Sequence, residues 1–158
     1  MEINEIVSRL QSAHQHYEPI IRDRDVIIQE EVDLLLKFIE KIYPFTTKKK
    51  INGKDSVLIY IFPENDRDLI SNDVYLSSDG YIVYQVYNKS AYLEIVPDAE
   101  IENGYVKTPI HYFLTYNPLI KILKFFQNRP SKLIDQATET DELNNKRKDL
   151  INLLNNVL

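Results

Sequence analysis

From Ile3 to Ile42 one seam recurs in steps of four and three: Ile3, Val7, Leu10, His14, Tyr17, Ile21, Arg24, Ile28, Glu31, Leu35, Phe38 and Ile42. That period is helical, and sustained over about eleven turns it predicts one long helix. Ile6, Ala13, Ile20, Ile27 and Leu34 flank the seam at regular heptad intervals and widen it. A stripe that broad is expected to meet more than one neighbour. Pro19 lacks an amide hydrogen and crowds the carbonyl one turn back, so a kink is expected near Tyr17 to Pro19, with the apolar phase continuing across it. Glu5 with Arg9, Glu18 with Arg22 and Asp33 with Lys37 are favourable pairs one turn apart, each worth ~0.2 to 0.5 kcal/mol.

The pattern then changes. Pro44 ends the helix, and Phe45 to Asp55 reads as a polar, lysine-rich loop turning at Gly53. Ser56 to Phe62 is apolar on both alternating faces, which predicts a strand buried on both sides. Asp73 to Val96 carries period-two alternation and two turn signals. With Ser78, Asp79 and Gly80 as a hairpin loop, Leu76 faces Ile82 and Val74 faces Tyr84. With Asn88 and Lys89 as a second turn, Val86 pairs with Ala91, Tyr84 with Leu93 and Ile82 with Ile95. The expected product is a β-meander. Val74, Leu76, Ile82, Tyr84, Val86, Ala91, Leu93 and Ile95 would face the core, and Tyr75, Ser77, Tyr81, Val83, Gln85, Tyr87, Tyr92, Glu94 and Val96 would share the opposite face.

Pro97 stops that strand, and Asn103 with Gly104 marks a turn before a short strand at Tyr105 to Lys107. Thr108 with Pro109 and Asn117 with Pro118 read as helix starts, a capping side chain before a proline at the first helical position. Tyr112, Phe113, Tyr116, Leu119, Ile120, Ile122, Leu123, Phe125 and Phe126 form a set apolar almost all round, suited to cover the sheet. A last helix from about Ser131 carries Leu133, Ala137, Leu143, Leu150, Leu154 and Val157 around a polar middle. The predicted architecture is α+β in a single domain over 1–158. It comprises a long kinked helix at 1–43, an antiparallel sheet of about four to five strands at 56–107, core helices at 109–128 and a C-terminal helix at 131–157.

Composition narrows the partners. A chain of 158 residues with 44% hydrophobic and 27% charged residues is an ordinary globular domain rather than a tail or linker. Its net charge of −5 argues against direct binding of nucleic acid, which needs clustered cations. The lysines at 48, 49, 50 and 54, and the run Lys146, Arg147 and Lys148, read as solvated. No cysteine is present, which removes disulfides and thiolate metal sites. With no apolar run of membrane-spanning length and no leader pattern, no membrane association and a cytoplasmic location are expected. Heavy use of Ile, Asn, Lys and Tyr fits an AT-rich bacterial or phage genome.

Catalytic chemistry finds little support. Gly53, Gly80 and Gly104 are isolated, so phosphate-cradling loops and a nucleophile elbow are absent. His14 and His16 are two apart on a helix and point to different sides, which spoils them as co-ligands. A calcium loop beginning at Glu64, with Asp66 and Asp68, fails because Leu69 and Tyr75 stand where glycine and glutamate are needed. Asp98, Glu100 and Glu102 resemble the start of a nuclease metal site, but Tyr105 stands where the second carboxylate belongs. No cofactor and no metal are expected.

What remains is recognition. Tyrosine joins a large ring to a polar hydroxyl at little entropic cost, so Tyr75, Tyr81, Tyr87 and Tyr92, with Gln85 and Glu94, form the candidate binding face. The leading expectation is a non-enzymatic protein-interaction module of the inhibitor, immunity or anti-defence kind, acting on another, basic protein. The alternative is a small-ligand sponge or sensor that stacks a nucleotide between rings, and a metal-dependent nuclease comes third. Arg24 and Glu31 lie two turns apart on the seam, so an antiparallel homodimer centred near Ile28 would pair them; a contact of Glu31 with Arg147 is the competing reading.

Overall fold

The computed structural model describes residues 2–63 and 69–158, so the predicted acidic loop at Glu64, Asp66 and Asp68 lies outside the described residues. The fold is α+β, with helices at both ends of the chain and an antiparallel sheet between them. Contacts divide the chain into two compact units, Met1–Ile122 and Leu123–Leu158.

In the first unit, helix α1 spans Ile3–Ile42 and runs on through Pro19. Its C-terminal half buries Ile28, Val32, Leu35 and Ile39, spaced by four, three and four, and lies beside α3 (Ile110–Tyr116). The seam is therefore used for the chain's own core only from Ile28 onward. Toward the N-terminus the apolar stripe stays exposed, with Ile3, Leu10, Tyr17 and Ile20 all open to solvent. Glu5 meets Arg9 at 3.0 Å, and Glu18 holds both His14, at 2.9 Å, and Arg22.

Among the described residues six strands follow: β1 Lys48–Ile51, β2 Lys54–Ile61, β3 Asp73–Ser77, β4 Tyr81–Gln85, β5 Glu100–Glu102 and β6 Tyr105–Pro109. Their order is β1-β2-β3-β4-β6-β5 and every pairing is antiparallel. The predicted lysine loop is instead β1 and the turn of a hairpin. Asn52 and Gly53 both have positive φ, 51° and 76°, the geometry of a two-residue turn that matches strand twist. Exposed lysines suit an edge strand because they discourage pairing with another chain.

The first predicted hairpin has the expected register, Leu76 opposite Ile82, with Gly80 at φ 84°. The second does not form. Asn88 sits at φ −130° and its side chain accepts the amide hydrogen of Ala91 at 3.1 Å, starting helix α2 at Lys89–Ile95. The place beside β4 is taken by β6, with Val83 opposite Lys107 and Tyr84 opposite Val106. A cap replaced a turn because asparagine serves either role, and helix α2 thereby removes Ala91, Leu93 and Ile95 from the sheet.

One sheet face, with Val57, Val74, Leu76, Ile82 and Val106, is buried. The other carries Leu58, Tyr75 and Val83, also buried, because the sheet curls. The curl brings the tips of the two outer hairpins together: Asn52 donates to the carbonyl of Glu102 at 3.2 Å, and Asn103 donates to Asn52 at 3.1 Å. In β2 the register shifts between Leu58 and Tyr60, a bulge at the fully buried Ile59. Leu58 pairs with Tyr75 but Tyr60 pairs with Val74, so the bulge turns Tyr60 to the opposite face.

Helix α4 spans Leu119–Val157 and continues through Pro130, so the predicted break between two helices near that residue is absent. Ile122 is buried within the first unit, whereas Tyr112, Tyr116 and Ile120, expected in the core, are exposed. The second unit is the distal part of α4. Phe125 stacks edge-on against Phe126 with centroids 5.1 Å apart, and no described side chain beyond Ile122 is buried. Among the described residues no helix is long and apolar enough to cross a membrane.

Candidate functional site

An aromatic cleft of about 660 Å³ opens between the sheet, α2 and α3. Strand β2 and the residue after it supply Tyr60 and Phe62, which reach the cleft only because the Ile59 bulge turns them to this side. Tyr84 comes from β4 and Tyr92 from α2, where Ile95 shares its side of the helix at a spacing of three and Val96 follows at the helix end. Helix α3 adds Tyr112, Phe113 and Tyr116.

The rings brace one another. Phe62 meets Tyr60 at 5.6 Å and Tyr84 at 6.1 Å, both edge to face, and Phe113 at 6.3 Å. Tyr112 and Tyr116 form a further edge pair at 5.3 Å on the rim. Such geometries set the positive edge of one ring on the negative face of the next and fix the walls. The hydroxyls of Tyr84 and Tyr92 lie 2.8 Å apart, tying α2 to the sheet. Burial first, then the bond to Tyr84, pushes the Tyr92 phenol well above its ordinary range, so it stays neutral. Among the described residues, Thr108, Asn117 and Lys121 are the other polar side chains on the lining. The volume lies within the range of sites that enclose a small organic molecule or a group of side chains.

The predicted tyrosine face is only partly assembled. Tyr75, Tyr81 and Gln85 do share the concave side of the sheet, as pairings of Tyr75 with Val83, Val83 with Lys107 and Gln85 with Tyr105 require. Tyr75 is buried there, however, and the chain's own lysines cover the rings: Lys107 lies 4.0 Å from the Tyr81 centroid and Lys49 5.9 Å from that of Tyr75. Lys49 also donates to the Tyr105 hydroxyl at 3.1 Å, which raises its pKa against partial burial. Asp79 anchors this layer, 2.6 Å from Lys54 and 3.3 Å from Lys107. Burial alone would raise its pKa, but hydrogen bonds from Lys54, Ser77 and Lys107 outweigh that and hold it well below the usual carboxylate range.

Tyr92 and Glu94 left that face when α2 formed: Tyr92 lines the aromatic cleft and Glu94 is exposed on the helix. Tyr87 stands exposed beyond β4. Of the predicted dimer residues, Ile28 is only 5% exposed, so a pairing centred on it has no face to use. Arg24 points to the adjacent Asp25 at 3.5 Å and Glu31 is half-buried. Tyr60, Phe62, Tyr112, Phe113 and Tyr116 were not foreseen as a site. The available signal was an excess of rings at strand spacing in 60 and 62 and at helical spacing in 112 and 116.

Among the described residues no cluster of histidine and carboxylate side chains could hold a metal ion. Comparison with protein-family models, curated proteins and solved structures finds no match to this chain.

Proposed function

We propose that this chain is a non-enzymatic protein-interaction module that receives apolar side chains of another protein in its aromatic cleft. The observation that carries this reading is the rim. Ile95 is 69% exposed, Tyr116 65% and Tyr112 58%, and all three continue the apolar wall outward instead of closing over it. A cleft that opens onto an exposed apolar border suits an anchor side chain ringed by further contacts, the usual anatomy of a docking hot spot. The net charge of −5 speeds encounter with a basic partner, which fits an inhibitor, immunity or anti-defence role.

A second reading, a nucleotide or other flat ligand stacked between rings, is favoured by the ring walls and by Lys121 beside them. Selection of a random peptide display library on the full chain, beside a nucleotide panel in thermal shift, separates the two. The first reading expects enriched peptides with aromatic or aliphatic anchors whose binding falls at least about tenfold in Tyr112→Ala with Tyr116→Ala. Peptides indifferent to that double substitution would refute the assignment. A nucleotide at a hundred times its dissociation constant, stabilising by ~2.7 kcal/mol, would move the conclusion to the second.

A further inference from the structure

We propose that the exposed N-terminal stripe of α1 is the seat of a second copy of this chain, docked antiparallel. This surface is separate from the cleft and does not depend on its assignment. From Ile3 to Ile27 the helix is long enough to span about 36 Å, and Ile3, Val7, Leu10, Tyr17, Ile20 and Ile27 are each 45% exposed or more. Burying that stripe removes on the order of 700 Å² per copy, close to the ~800 Å² per partner of a standard stable interface.

The direction follows from which columns are apolar. The stripe comprises the seam and one flanking column, Ile6, Ala13, Ile20 and Ile27, while the column on the other side is Asn4, Gln11, Glu18 and Asp25. In a parallel pair each apolar flank would face the polar, acidic column, and like positions would stack, Arg24 on Arg24 and His14 on His14. An antiparallel pair sets apolar flank against apolar flank. In the register where His14 meets Tyr17 and Leu10 meets Ile21, Ile6 of one copy meets Ile27 of the other and Ala13 meets Ile20, large against small. Arg24 then lies over Val7, near the uncharged Asn4, with no like charge opposite. In this register Ile3 of one copy falls opposite Ile28 of the other, where burial against that copy's own core begins, so the paired stretch ends there.

The chain lacks cysteine, which permits a background-free test. Light scattering of the full chain should give twice the 18.6 kDa of one copy. Leu10→Glu with Ile20→Glu should raise the dimer dissociation constant at least about 100-fold while circular dichroism stays that of the folded chain. A mixture of Ala13→Cys and Ile20→Cys chains should give the mixed disulfide on oxidation, and Arg24→Cys alone should not cross-link. A monomer at all concentrations, or a dimer indifferent to the two glutamates, overturns the proposal; ready cross-linking of Arg24→Cys to itself, as a parallel pair requires, overturns the antiparallel arrangement.

Discussion

Removing one hydroxyl from the Tyr84–Tyr92 pair tests the point where the fold turns away from a simple meander. The two oxygens are 2.8 Å apart and part-buried, so Tyr84→Phe or Tyr92→Phe strands the surviving hydroxyl in a poorly hydrated place. Stranding costs more than the bond is worth. Because water still reaches part of the site, each single substitution should lose about 0.5 to 1.5 kcal/mol, and the double substitution much less than the sum. A double-mutant cycle should return a coupling of about 0.5 to 1 kcal/mol, read as a urea midpoint shift at constant slope. The test discriminates because a third meander strand would set Tyr84 opposite Leu93 and send Tyr92 to the other face, beyond reach. Costs that add to within about 0.3 kcal/mol would refute the docking of α2 through this bond. A pH arm runs the same way. The folded Tyr92 phenol titrates above its unfolded value, so its contribution is whole below about pH 10 and is lost as pH climbs through the raised value, an effect absent from Tyr92→Phe.

Asp79→Asn should cost about 1 kcal/mol at neutral pH by weakening its links to Lys54 and Lys107. Since the folded Asp79 pKa is depressed, the difference from the parent in urea melts should hold above about pH 4 and shrink as pH falls below it. Leu35→Ala, at a fully buried site where α1 joins the core, should lose about 2 to 5 kcal/mol by chemical denaturation, with the lower end expected only if neighbours collapse into the space. Gly53→Ala should cost about 1 kcal/mol in the same assay, purely through its φ of 76°, because an added methyl there meets no atom within 4 Å. No loss would mean that the Asn52–Gly53 turn relaxes to another type.

The long helix and the first hairpin were legible because their signals are redundant: forty residues in phase for α1, and a positive-φ glycine plus matched apolar pairs for β3 and β4. The failures have local causes. Lys48 to Lys50 looked like loop because charge obscured a strand, although Asn52–Gly53 is the strongest short hairpin signal a sequence offers. Residues 89–95 satisfy both periods over so short a span: Ala91, Leu93 and Ile95 alternate, yet Tyr92 and Ile95 also lie on one helical face. The side chain of Asn88 decides, by capping. Pro130 lies inside α4 as Pro19 lies inside α1, so neither proline ends its helix. The stripe of α1 is expected from its pattern to meet neighbours along its whole length, yet its N-terminal half is exposed, because periodicity reports that a face is apolar and not what covers it.

The cleft was illegible for a deeper reason, since it depends on two departures that patterning alone does not reveal. In the strict alternation read from SVLIYIF, Tyr60 would follow Leu58 onto the concave side, among Tyr75 and Val83. One extra residue, Ile59, reverses that parity, and Tyr60 and Phe62 cross to the side of Tyr84. Had residues 91–95 then paired with β4 as a strand, they would have taken the edge that β6 occupies, leaving no helix to form the opposing wall. Instead Asn88 starts α2, β6 takes the edge, and α3 follows directly from β6 to bring Phe113 within 6.3 Å of Phe62. Each step is a small backbone choice, and the ring-lined cavity exists only when both are made. The docking role proposed above would therefore fall to the tyrosines that the bulge and the cap gathered, rather than to those the strand pattern set in a row.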